Sequence, residues 1–231
     1  MPAHLYDQYD QYLENLLCAQ YDVAGIFNHE LTKGEVREDF LIKLLHESND
    51  HMRIHKGVLS NGTTNSNQCD LLICRPNTHI RRLGGQAMID VGKQPILIEV
   101  KGNATGTDFK EFNIKAGRAK SLCTTHDIPC GIFCYRTMLT HRTIMKRFGY
   151  RYDAALDPLG IAYLDDPTLP LDYPNIDFAV CIEVTPAGME DKQFFLRKDP
   201  STGNPTSGRY IYSREAPVIK HMMSLVRSLT M

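Results

Sequence analysis

The stretch PILIEVKG, residues 95–102, decides how the chain is read. Ile96, Leu97, Ile98 and Val100 lack helical spacing and are rich in β-formers, so the segment is predicted to be a buried strand. It nevertheless carries Glu99 and Lys101, and it breaks at Gly102. Side chains two apart on a strand share a face. Glu99 and Lys101 therefore lie together, with Ile98 and Val100 on the opposite face. A charge taken out of water is costly unless it is paired or bound to a metal, so this pair calls for an explanation.

The composition narrows the field. In 231 residues, 42% are hydrophobic and 23% charged, as in a globular protein with a sizeable core. The formal net charge of −1 gives no global attraction to nucleic acid, so any such binding must come from local patches. The polar, acidic start MPAHLYDQYDQYLENLL is unlike a secretory signal, and no apolar run reaches the length of a membrane span. The seven cysteines, mostly within apolar segments, read as reduced core-filling thiols of a cytoplasmic protein.

Outward from residue 95, helical and strand patterns alternate. Helices are expected over 4–23, 35–47, 107–124, 137–148 and 216–229. Strands are expected over 52–59, 69–74, 95–101, 130–136, 178–184, 193–197 and 208–213. Residues 24–34 read as a loop, NGTTNSNQ (61–68) as a polar turn-forming loop, 77–92 as a loop or short hairpin around Gly84-Gly85, and 153–176 as an ordered surface excursion. No linker or repeat divides the chain. The pattern predicts one α/β domain over residues 1–231, with a mixed central sheet flanked by helices and its core at about 30–136.

Asp70 opens the strand CDLLIC (69–74), and the connection from there to Glu99 is long enough for the two strands to pair. Two carboxylates held close repel each other unless a divalent cation lies between them. Hard carboxylate oxygens suit Mg²⁺, which keeps several waters and meets its substrate through phosphate. A lysine beside such a site orients or deprotonates a water, or stabilises charge building on phosphorus. Together these parts form a machine for phosphodiester hydrolysis.

The pattern resembles the PD-(D/E)xK nuclease superfamily, with Asp70 and Glu99-Val100-Lys101 as its signature. That resemblance implies a restriction-endonuclease-like fold, Mg²⁺ held by Asp70, Glu99 and the Val100 carbonyl, and Lys101 as the catalytic lysine. It also implies a helix carboxylate in support, Glu38 of KGEVREDF first and Glu35 second. KGEVREDFLIKLL, the loop ending in QCDLLIC, and PILIEVKG ahead of a helix ending KAGRAKSL narrow it further, to the NucC-type endonucleases. The likeness is good over residues 30–122 and loose elsewhere. It implies an anti-phage effector of the CBASS type that cuts double-stranded DNA, is switched on by a cyclic oligonucleotide and assembles as a trimer or hexamer. On that reading Arg81, Arg82 and Arg209 with Tyr210 are candidate phosphate and base contacts for the activator, in loops and strands outside the nuclease core.

Other readings compete for the same residues. Glu99 and Lys101 also suit a solvated edge strand, Asp70 a loop cap and Glu38 a solvated helix face. Gln68 either orients a water in the site or bonds backbone. Lys110, Lys115, Arg118 and Lys120 form a wet helix face or track a DNA backbone, with Lys146, Arg147 and Arg151 as a weaker patch. Cys123, His126, Cys130 and Cys134 lack the tight spacing of a zinc knuckle. At the level of the whole chain the rivals are a stand-alone restriction or repair nuclease and a non-catalytic nucleic-acid-binding module.

Overall fold

The alternation in residues 95–102 becomes the middle of a nine-stranded sheet. The computed structural model describes residues 2–48, 51–156, 162–184, 192–199, 210–215 and 217–230. In chain order the elements are α1 (Pro2–Ala24), α2 (Glu30–Ser48), β1 (Arg53–Ser60), β2 (Cys69–Cys74), β3 (Ile80–Leu83), β4 (Gln86–Asp90), β5 (Ile96–Ala104) and α3 (Gly106–Ser121). They continue as β6 (Cys130–Thr137), α4 (His141–Arg147), β7 (Tyr150–Tyr152), β8 (Tyr163–Asp165), β9 (Phe178–Cys181), β10 (Phe194–Lys198), β11 (Tyr210–Ser213) and α5 (Ile219–Thr230). The sheet order is β11-β10-β9-β6-β5-β2-β1-β4-β3, and β7 and β8 form a separate hairpin. β5 runs parallel to β6 and antiparallel to β2, so the sheet is mixed and β5 lies well inside it. That position removes the edge-strand reading of Glu99 and Lys101.

Each sheet face buries its own apolar layer. Ile96, Ile98 and Val100 of β5 pack with Leu41 and Leu45 of α2, Leu13 and Leu17 of α1, and Met222 and Val226 of α5. Leu97 joins Phe109, Phe112, Ala116 and Ala119 of α3 on the other face. A residue with both neighbours buried on one side points to the other, so Glu99 and Lys101 face α3. All seven cysteines are free thiols, and five of them are buried. Cys130 and Cys134 are core residues of β6.

Two boundaries move for identifiable reasons. α2 starts at Glu30, earlier than expected, because Thr32-Lys33-Gly34 continues the helix and Lys33 pairs with Glu30 at 2.7 Å. α4 starts at His141, later than expected, because β6 runs to Thr137 and the Thr140 side chain caps the helix by accepting from the Thr143 amide. Residues 77–92 settle as the β3–β4 hairpin, with Gly84 at positive φ in its turn. Ala216, the expected start of the last helix, lies outside the described residues.

Gly102 has a physical reason. A Cβ there would sit 2.5 Å from Nη1 of Arg37, so any side chain at 102 would push the guanidinium aside. The Arg37 guanidinium stacks over the Tyr21 ring at 3.9 Å from its centroid. This accounts for an arginine in the apolar arc of α2: its cation lies on an aromatic face against bare backbone.

Candidate active site

The site begins where β2 and β5 part. Their ladder pairs Leu71–Ile73 with Ile96–Ile98, while β5 carries its pairing with β6 on to Ala104. Past Ile98 the Val100 amide donates to Asp70 Oδ2 at 2.8 Å. Asp70 thus caps the open end of the ladder with its carboxylate, next to Glu99 on the neighbouring strand. Burial and the Glu99 charge push the Asp70 carboxyl up to about 6, against the pull of the Val100 amide and of Lys115. Such a carboxylate gains from any cation brought to it.

Glu99 is 8% exposed, and both of its oxygens are engaged. Oε1 lies 3.0 Å from Lys101 Nζ and Oε2 lies 2.5 Å from Lys115 Nζ. Lys101 Nζ is also 3.8 Å from Asp108 Oδ1. Burial alone disfavours the Lys101 ammonium. The Glu99 carboxylate, aided by Asp70 and Asp108, outweighs it and raises the pKa above the ordinary 10.5. Paired in this way, Lys101 is held as a cation beside Glu99.

α3 supplies the opposite wall. Thr105 and Asp108 close a reciprocal capping box at its start, in which Asp108 Oδ2 accepts from the Thr105 amide at 2.8 Å. The other carboxylate oxygen of Asp108 is the one that faces Lys101. Asp108, Glu111, Lys115 and Arg118 recur at helical spacing along one face, and with Asn67, Glu99 and Lys101 they line a cleft of about 320 Å³.

The remaining sequence candidates divide. Glu38 is half-buried and bound to Lys56 at 2.9 Å, close enough for its charge to raise the Asp70 pKa. Lys56 lies where the β1–β2 register slips and also pairs with Asp39 at 2.8 Å. Glu35 is exposed. Gln68 is exposed and lies off the cleft, whose loop contribution comes from Asn67. Lys120 does not belong to an open DNA-tracking face, because it is tied to Asp177 at 2.6 Å and Asp127 at 2.8 Å. Arg147 is committed to the Tyr173 hydroxyl at 2.5 Å.

The activator contacts expected at Arg81, Arg82, Arg209 and Tyr210 do not come together within one chain. Arg81 and Arg82 are exposed on β3, one edge of the sheet, whereas Tyr210 is on β11, the other edge. Tyr210 is 4% exposed, and its hydroxyl donates to the carbonyls of Tyr173 and Ile176. Its ring packs on Phe148 in the core. Its apolar bulk and its donor are both used, so it is not a base contact. Arg209 lies outside the described residues.

Among the described residues no three His, Cys, Asp or Glu side chains converge as a ready-made metal cage. The donor chemistry still fits a hard divalent cation: two adjacent carboxylates, a main-chain carbonyl between Glu99 and Lys101, and an Asp70 carboxyl destabilised as an anion. Sequence reasoning missed Lys115 as a partner of Glu99, and it missed Asp108. Asp108 was legible as the last residue of a Thr-x-x-Asp capping box. Lys115 carried only the general signal of a basic helix.

The sequence matches no family model and no curated protein. The fold does have close counterparts. NucC from P. aeruginosa ATCC27853 in its cAAA-bound form superposes with a TM-score of 0.70 at 14% identity, covering 96% of this chain and 90% of that one. NucC from E. coli MS115-1 gives 0.64 at 10% identity in its cAAA-bound form, again over 96% and 90%. Its apo form gives 0.58 at 10% identity, over 95% and 90%. The chain thus has the NucC fold: one α/β domain of restriction-endonuclease type with a large mixed sheet flanked by helices.

Proposed function

We propose that this protein is a divalent-metal-dependent DNA endonuclease of the CBASS effector type, held inactive until a cyclic oligonucleotide engages it. The observation that carries the reading is the juxtaposition of Asp70 with Glu99-Val100-Lys101 at the parting of β2 and β5, on a NucC fold. Asp70, Glu99 and the Val100 carbonyl would hold Mg²⁺, with Glu38 in support once it leaves Lys56. Bound there, such an ion supplies a Lewis acid for phosphate oxygen and a more acidic water.

The chain's own residues do the rest. The Lys101 ammonium, held by Glu99 and backed by Asp108, orients the attacking water and stabilises charge as it builds on phosphorus. Arg118 on the cleft wall is positioned to meet a phosphate of a duplex. The near-neutral net charge makes unaided DNA attraction weak, which favours control through assembly. Arg81, with His79 and Lys93, lines a separate cleft of about 210 Å³, and with Arg82 it remains a phosphate contact for an anionic activator. No described helix is long and apolar enough to cross a membrane, in keeping with a cytoplasmic effector.

Light scattering and plasmid cleavage, each with a panel of cyclic di-, tri- and tetranucleotides, test the reading. The expected outcome is a weakly active trimer that a cyclic trinucleotide converts to a larger, active assembly. A monomer or dimer that cuts fully with Mg²⁺ alone would leave a restriction-type nuclease in its place. A protein that never cuts would be a binding module.

A further inference from the structure

We infer that Lys115 is a built-in counter-cation of Glu99, occupying part of the metal's place and released into the cleft when a divalent ion binds. The inference rests on the proposed metal site and concerns how that site is kept when empty. Asp70, Glu99, Lys101 and Lys115 form a charge-neutral quartet in a largely buried setting. Glu99 has no free oxygen, since Lys101 holds Oε1 at 3.0 Å and Lys115 holds Oε2 at 2.5 Å. A divalent ion on Glu99 needs one of those oxygens. Two added charges beside both ammonium groups would leave the quartet strongly positive at short range, where like charges repel most in a poorly solvated site.

Lys101 is the less mobile of the two, because it stands on β5 beside Glu99 and is also near Asp108. Lys115 reaches across from α3 on a flexible four-carbon stem, with its side chain 16% exposed at the cleft wall. It is the cation that can leave. Swung away from Glu99, its ammonium lies in the same cleft as Arg118, where a phosphate would meet two cations. Metal entry would thus convert a carboxylate clamp into a substrate contact without any backbone movement.

The test reads lysine chemistry and metal affinity, with Ca²⁺ as a probe and no DNA present. An amine-reactive ester, followed by mass spectrometry, should label Lys115 several-fold faster when Ca²⁺ is added. Lys120, tied to Asp127 and Asp177, should not change. Calorimetry should show Lys115→Gln binding Ca²⁺ about tenfold more tightly than wild type, and Lys115→Arg should restore the weaker value. Unchanged labelling of Lys115 while Ca²⁺ binds would overturn the inference and leave the metal site standing. So would Lys115→Gln binding no more tightly than wild type. If neither protein binds Ca²⁺ at all, the metal site and the inference fall together.

Discussion

Asp70→Asn should stabilise the metal-free protein while removing its activity, a combination expected of a functional carboxylate and not of a structural one. Asn keeps the oxygen that accepts from the Val100 amide and loses only the charge. Folding raises the Asp70 pKa from 3.8 to about 6. Between those values the native state binds the proton that the unfolded chain has released, so stability falls as pH rises. Below about pH 4 there is no deficit; above about pH 6 it is complete and constant. Roughly two pKa units correspond to about 3 kcal/mol, and relaxation around the site reduces this to about 2 kcal/mol. For a chain of this length that is a rise in Tm of about 4–8 °C for the variant at pH 8 in EDTA. The difference should shrink towards zero at pH 4. It should also close in saturating Mg²⁺, because a ligand at a hundredfold its Kd stabilises only the protein that binds it, by about 2.7 kcal/mol. Thermal melts of both proteins at pH 4, 6 and 8, with EDTA or Mg²⁺, check each limb. An Asp70→Asn protein less stable than wild type at pH 8 in EDTA, or a gap independent of pH, would refute the reasoning.

Lys101→Met keeps the stem and loses the ammonium, so cleavage should fall by about 10²–10³ while DNA and Mg²⁺ still bind; equal loss of binding and cleavage in gel-shift and plasmid assays would make Lys101 an anchor instead. Gly102→Ala pushes the Arg37 guanidinium off the Tyr21 ring and should cost about 0.5–1 kcal/mol, read as a fall in Tm of about 1–4 °C. Tyr210→Phe removes a buried donor to two carbonyls and should cost about 1–2 kcal/mol in a denaturant melt. It should leave any affinity for a cyclic oligonucleotide unchanged.

Most of what positions the site was legible in the sequence, and the reason is periodicity. The two-residue alternation of PILIEVKG fixed which side chains share a face, and a buried run such as CDLLIC has few places to go except beside another strand. The closeness of Asp70 to Glu99 followed from that. The helix candidates were harder. Glu38 was open between a supporting carboxylate and a solvated helix face, but its observed partner is Lys56, brought there by a register slip in β1 that no pattern announces. Lys115 and Lys120 look alike as bases on one amphipathic helix, yet one meets Glu99 and the other Asp127 and Asp177. Only the crossing of α3 over the sheet distinguishes them. Tyr210 misled because an aromatic beside an arginine reads as a ligand contact, whereas burial is decided by what packs from 60 residues away. Arg37 falls in the apolar arc of α2, and only the fold shows that the Tyr21 ring and the bare backbone at Gly102 accommodate its charge.

The central claim is that Asp70 and Glu99, at the parting of β2 and β5, form a metal-dependent phosphodiesterase site. Glu99→Gln is nearly isosteric and should keep the fold, so its effect isolates the charge. Supercoiled plasmid incubated with wild type, Mg²⁺ and a cyclic trinucleotide should be degraded to short pieces, with only weak cleavage when the trinucleotide is left out. EDTA should stop the reaction, and Glu99→Gln should leave the plasmid intact under every condition while showing a wild-type circular dichroism spectrum. Full cleavage by a folded Glu99→Gln protein, or cleavage by wild type that persists in EDTA, would contradict the account.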